Sequence, residues 1–261
     1  MTRADRPDPP TADAMVDAVI DKAYPGCVVL REARIAIRRG TVHALVGENG
    51  AGKSTLVKIL AGVVRGDRGT LVVGGERREL ARWDRKAARA AGVGIVQQHG
   101  ASAGTLSVVE NAVLGVEPAR RGLLELGPAA EALARRGREV GLPVDPWAEA
   151  GRLPLGAAQR AEIVAALHQG ARLLILDEPT AVLTPVEVDG LLATLRALAA
   201  AGTTIVIVTH KLDEVRAVAD EVTVLRAGKT VTTFTAAGEP RLDVDAIARA
   251  MVGSALPPAG R

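Results

Sequence analysis

Residues 42–55 read Val42-His43-Ala44-Leu45-Val46-Gly47-Glu48-Asn49-Gly50-Ala51-Gly52-Lys53-Ser54-Thr55. A run with the character of a buried strand passes directly into a glycine-rich loop, and 54–60 then has helical spacing. Within it, 47–55 satisfies the pattern G-x-x-x-x-G-K-[ST] in full, between a strand and a helix, the setting in which that pattern has a mechanism. Glycines let successive backbone N–H groups turn inward around phosphate oxygens, and the following helix adds the partial positive charge of its N-terminus. Gly47, Glu48, Asn49, Gly50, Ala51, Gly52, Lys53, Ser54 and Thr55 are therefore candidate ATP-binding residues. Lys53 is expected to reach the β- and γ-phosphates, and Ser54 to offer its hydroxyl to Mg²⁺. The alternative, a plain glycine turn, has the motif's context against it.

The second informative stretch is Leu173-Leu174-Ile175-Leu176-Asp177-Glu178-Pro179-Thr180, an apolar run ending in two carboxylates. Asp177 suits the metal-binding role of a Walker B aspartate. Glu178, next along, points the other way if the strand continues, so it is expected to polarise an attacking water as general base. A solvated strand end or a helix cap is the competing reading, which the upstream loop disfavours.

Working outward, 16–20 and 35–37 alternate in polarity around Tyr24-Pro25-Gly26 and read as edge strands with a turn. From 87 to about 170 the pattern is mostly helical, broken by Gly100, Gly104, Gly122, Pro128, Pro143 and Pro154, as in a helical insertion. Two β-runs, 173–176 and 204–208, flank the helical stretch 185–200, which implies parallel pairing through crossover helices. A closing helix is expected at 242–252. The fold class that follows is α/β: a P-loop core with a parallel central sheet, an antiparallel β-subdomain near the N-terminus and an inserted helical subdomain. The expected boundaries are a tail at 1–14, one ATP-binding domain at 15–253 with the helical part at about 100–168, and a tail at 254–261.

Composition bounds the function. The 261 residues are 48% hydrophobic and 24% charged, the balance of a soluble globular protein, and can bury a proper core. The formal charge of +3 is scattered in pairs such as Arg38-Arg39 and Arg135-Arg136, and aromatics are only 2%, so stacking on nucleic acid is not expected. Cys27 is the only cysteine, which rules out an intrachain disulfide and is expected to be a small buried hydrophobe. The start is rich in Pro and Asp and reads as neither signal nor anchor. No run approaches the roughly 18 apolar residues of a membrane helix, so a membrane role must come through a partner.

These residues resemble the ATPase subunits of ATP-binding cassette (ABC) transporters, and within them the simple-sugar and nucleoside importers. The strings that carry the resemblance are LVGENGAGKSTLVKILAGV (45–63), GVGIVQQH (92–99), TLSVVENAVLG (105–115), LDEPTAVLTP (176–185) and VTHKLDEV (208–215). The resemblance implies that Tyr24 stacks on adenine, with a packing tyrosine as the alternative. It implies that Gln98 touches Mg²⁺ and the attacking water, with Gln97 as competitor, and that His210 contacts the γ-phosphate. His43 and His168 are left as structural. It further implies MgATP hydrolysis on the cytoplasmic face of a membrane, head-to-tail pairing with a second cassette (identical or not), integral membrane permease subunits and, indirectly, an extracytoplasmic solute-binding protein.

Two departures stand out. Where the family signature reads L-S-G-G-Q, or L-S-V-G in this subgroup, this chain has Leu153-Pro154-Leu155-Gly156-Ala157, so a proline replaces the serine. After Gln98, where bulky apolar residues are usual, it has His99-Gly100-Ala101-Ser102-Ala103-Gly104. Members of the subgroup often carry two cassettes per chain, and this sequence holds one. The competing readings are a soluble, non-transport ABC ATPase, for which no charged linker or coiled-coil arm is visible, and a weakly active or inactive asymmetric half of a heterodimer, favoured only by Pro154.

Overall fold

The computed structural model describes residues 13–97, 102–120, 123–236 and 242–253. The strands are β1 (Ala14–Tyr24), β2 (Cys27–Arg38), β3 (Val42–Val46), β4 (Arg68–Val73), β5 (Glu76–Arg78), β6 (Val93–Val96), β7 (Ala119–Arg120), β8 (Leu123–Leu124), β9 (Leu173–Asp177), β10 (Thr204–Val208), β11 (Glu221–Arg226) and β12 (Lys229–Thr235). The helices are α1 (Lys53–Leu60), α2 (Arg85–Ala90), α3 (Val108–Val113), α4 (Leu126–Glu139), α5 (Leu155–His168), α6 (Pro185–Ala200), α7 (Leu212–Val218) and α8 (Val244–Val252).

A six-stranded sheet of order β12-β11-β3-β10-β9-β6 forms the centre. Its strands run parallel from β11 to β6, with β12 as the one antiparallel edge. β3, β9 and β10 are buried throughout, as strands covered on both faces must be. Their side chains alternate between two cores. Val42, Ala44, Val46, Leu174, Leu176, Ile205 and Ile207 face a core shared with α3 to α8. Leu45, Leu173, Ile175, Val206 and Val208 face a second core shared with α1 and the antiparallel sheet β2-β1-β4-β5. Local chemistry sets the helix starts: Thr184 and Glu187 form a capping box ahead of Pro185, and Ser107 and Glu110 form another at α3.

The α/β class, the parallel core and the antiparallel sheet agree with the sequence reading, with three differences of detail. β1 is not an edge strand, because it is paired on both sides, to β2 and β4. The stretch 87–170 is not wholly helical: β6 lies inside it and pairs with β9 as the far edge of the central sheet. Cys27 is exposed, since it sits where the β1–β2 hairpin turns. Strand β1 begins at Ala14, within the stretch assigned to the tail; the rest of both tails, 1–12 and 254–261, lies outside the described residues.

Candidate functional site

Parallel strands direct their carboxyl ends to one edge of the sheet, where ligands bind in open α/β folds. Here the neighbours β3, β10 and β9 end, in that order, in the glycine loop, in Thr209-His210 and in Asp177-Glu178. Residues 130 positions apart in the chain thereby converge, taking Gly47 to Asp177 as the span.

The loop is built around two glycines at which a side chain would be strained and crowded. Gly47 has φ 154° and a Cβ there would lie 2.0 Å from the Leu225 carbonyl oxygen on β11. Gly52, at φ 100°, would bring a Cβ within 2.7 Å of the Leu30 side chain. Gly47→Ala is accordingly expected to lower stability by roughly 2–3 kcal/mol, the scale of overpacking and strain, seen as a Tm drop of about 5–10 °C. A thermal melt indistinguishable from wild type would show that the loop has another conformation.

Inside this loop the Lys53 ammonium donates to the Gly47 carbonyl at 2.8 Å and the Glu48 carbonyl at 3.0 Å, so a buried positive charge spans the turn. Burial pushes its pKa below the usual lysine range, while the Glu178 and Asp177 carboxylates oppose that. Ser54 donates its hydroxyl to Asp177 Oδ1 at 3.2 Å. Burial raises the Asp177 pKa against that hydrogen bond, because a carboxylate taken out of water favours its neutral form until a cation compensates it. Two hard oxygen ligands side by side suit Mg²⁺, which keeps several waters and takes further oxygens from phosphates. No group of three or more His, Cys, Asp or Glu that could cage a metal occurs among the described residues.

Glu178 does not continue the strand. Its φ is 49°, and its amide donates to the Val208 carbonyl at 3.0 Å, just beyond the last ladder pair. Pro179 follows and has no N–H to carry the ladder further. The turn sets the Glu178 Oε1 3.4 Å from His210 Nδ1. The structure thus brings the two proposed catalytic side chains together, by a left-handed turn and not by strand alternation.

Of the remaining candidates, Tyr24 ends β1 and is 43% exposed, with the Lys22 ammonium 5.1 Å from its ring centroid. Gln98 lies outside the described residues; Gln97 lines a narrow cleft with Leu155, Gln159, Asp177 and Glu178. Pro154 is the N-cap of α5, its carbonyl accepting from the amides of Ala157 and Ala158 and its side chain offering no cap. Leu155 is 64% exposed, while Gly156 is buried so close to α6 that a Cβ would meet Glu187 Oε1 at 2.6 Å. His43 is buried between Glu221 and Thr223, and His168 closes α5, so neither reaches the site. Sequence reasoning missed Thr180, Thr209 and Glu214, buried polar residues packed behind the Glu178–His210 pair. Their adjacency to the assigned residues was the available signal.

Residues 30–181 match the family model described as ABC transporter. A ribose import ATP-binding protein of Chromobacterium violaceum is 42% identical over 235 residues, 90% of this chain and 46% of that protein. A nucleoside import ATP-binding protein of Lactococcus lactis is 40% identical over 223 residues, 85% of this chain and 43% of that protein. This chain thus spans about half the length of the curated relatives it matches. Among solved structures, the ADP conformation of MJ1267, an ATP-binding cassette of an ABC transporter, superposes with a TM-score of 0.75 at 20% identity, covering 92% of this chain and 96% of that one. That likeness is one of fold.

Proposed function

The chain belongs to the ABC transporter family, and from that premise we propose that it binds and hydrolyses MgATP to drive import of a sugar or nucleoside through membrane partners. The observation carrying the proposal is the convergence of Lys53, the Ser54–Asp177 pair and the Glu178–His210 pair at the ends of three adjacent strands. In this reading the amides of 47–52 and the Lys53 ammonium bind the phosphates, with Tyr24 beneath the base. Ser54 and Asp177 would hold Mg²⁺, with Gln98 as a further contact, and the ion would supply charge neutralisation at the phosphates. Glu178 takes a proton from the attacking water, and His210, 3.4 Å away, orients that carboxylate and faces the γ-phosphate.

Among the described residues no helix is long and apolar enough to cross a membrane. Permease subunits, and indirectly an extracytoplasmic solute-binding protein, belong to the proposal, as does a place on the cytoplasmic face of a membrane. The import names of the relatives support the solute class.

The signature residues Leu153, Pro154, Leu155, Gly156 and Ala157 are proposed to meet the nucleotide of a second cassette. Pro154 favours a non-identical partner. Proline supplies neither hydroxyl nor N–H, and a lost hydrogen bond to a charged group costs roughly 1.5–3 kcal/mol, about 10- to 100-fold in an equilibrium. A homodimer carries that loss twice. Purified alone, the chain is expected to release phosphate from MgATP slowly, and Pro154→Ser to raise the rate. Serine at this N-cap also gains a capping acceptor, so the rate is compared at equal folded fraction. Brisk turnover by the wild type, unimproved by Pro154→Ser, contradicts the asymmetric pairing; no phosphate release by either contradicts hydrolysis by this chain.

A further inference from the structure

Behind the Glu178–His210 pair, one carboxylate ties two segments together. Glu214, on the first turn of α7, is buried, and both its oxygens are used. The Thr180 hydroxyl donates to Oε1 and the Thr209 hydroxyl donates to Oε2 at 2.7 Å, both threonines being buried as well. The Lys211 ammonium lies 3.2 Å from Oε1 and donates to the Thr180 carbonyl at 3.3 Å, while the Lys211 amide donates to the Thr209 hydroxyl at 3.1 Å. Thr180 stands two residues after Glu178 with a rigid proline between them, and Thr209 immediately precedes His210. The Pro179 carbonyl in turn accepts from Gln159 Nε2 of α5 at 2.6 Å.

A buried carboxylate is costly unless paired and hydrogen-bonded, and an apolar residue of similar size would fill the same space more cheaply. What an apolar side chain cannot do is hold two loops by direction. We propose that Glu214 is a positioning residue that fixes Glu178 and His210 relative to each other by clamping Thr180 and Thr209. The inference rests on the reading of Glu178 and His210 as the hydrolytic pair. The Gln159 contact extends the clamp to the helix that carries Leu155 and Gly156.

The test combines hydrogen-exchange mass spectrometry with single-turnover hydrolysis on the full chain. Glu214→Ala is expected to speed exchange in 177–181 and 208–211 together and to leave 47–60 unchanged. It should lower the hydrolysis rate about 10- to 100-fold, the scale of a misplaced catalytic group, with ATP affinity unaltered. Glu214→Gln keeps the shape: one threonine hydroxyl can still donate to its oxygen while the other rotates to accept from its amide nitrogen, so most of the rate should return. In a His210→Ala background, Glu214→Ala should cost less than it does in the wild type. Exchange that rises only within α7, an unchanged rate per folded molecule, or additive losses in the double variant would overturn the inference. If Glu214→Ala does not fold, Thr209→Val and Thr180→Val each release one arm of the clamp and give the same two readouts. A wild type that hydrolyses no ATP would contradict the proposed function, while the exchange pattern would still decide the role of Glu214.

Discussion

Glu178→Gln is expected to bind ATP as the wild type does and to hydrolyse it at least ~10²-fold more slowly, the usual lower scale for loss of a general base. The amide keeps the size of the carboxylate, so the turn at φ 49° and its bond to the Val208 carbonyl should persist. What is lost is proton acceptance 3.4 Å from His210 Nδ1, where water would be activated. Binding depends on other residues, since the loop and Lys53 are untouched. Single-turnover phosphate release gives the rate. Near-normal turnover by the folded variant would remove Glu178 from the role of base.

Lys53→Ala is expected to abolish tight ATP binding. The ammonium is the only side-chain cation fixed inside the loop, and it is already oriented there by the Gly47 and Glu48 carbonyls. Hydrogen bonds to charged groups contribute roughly 1.5–3 kcal/mol each, so losing two to phosphate oxygens weakens affinity by at least about 100-fold. Truncation also leaves the two carbonyls without this donor, so circular dichroism must accompany the titration to show a folded chain. Unchanged affinity of a fluorescent ATP analogue for the folded variant would sink the assignment of 47–55.

The legible parts of the sequence were those whose chemistry is local. Residues 47–55 announce themselves because every element of the loop lies within nine positions, and 173–176 because a strand buried on both faces reads as an unbroken apolar run. Strands 204–208 and the helix at 185–200 followed from periodicity, and the structure gives Thr204–Val208 and Pro185–Ala200. Less legible were features decided by tertiary pairing. β6 is four residues long, too short for periodicity to distinguish from a helical segment, and only its register with β9 makes it a strand. β1 read as an edge because its second partner, β4, carries no strong alternation of its own. The Glu178 direction was inferred from a strand that ends one residue earlier. Glu214 and Thr209 are five positions apart, but the bond from Thr180, 34 positions away, is made only by the fold, so the three do not read as one cluster in the sequence.

In the proposed function this chain binds ATP through the loop at 47–55, where Ser54 and Asp177 would hold Mg²⁺. Calorimetric titration of the folded wild type with ATP, once with Mg²⁺ and once with EDTA, tests it most directly. Saturable binding near one ATP per chain is expected, clearly weakened in EDTA and lost in Lys53→Ala. No saturable binding by the folded wild type, or binding indifferent to both the metal and Lys53, would contradict it.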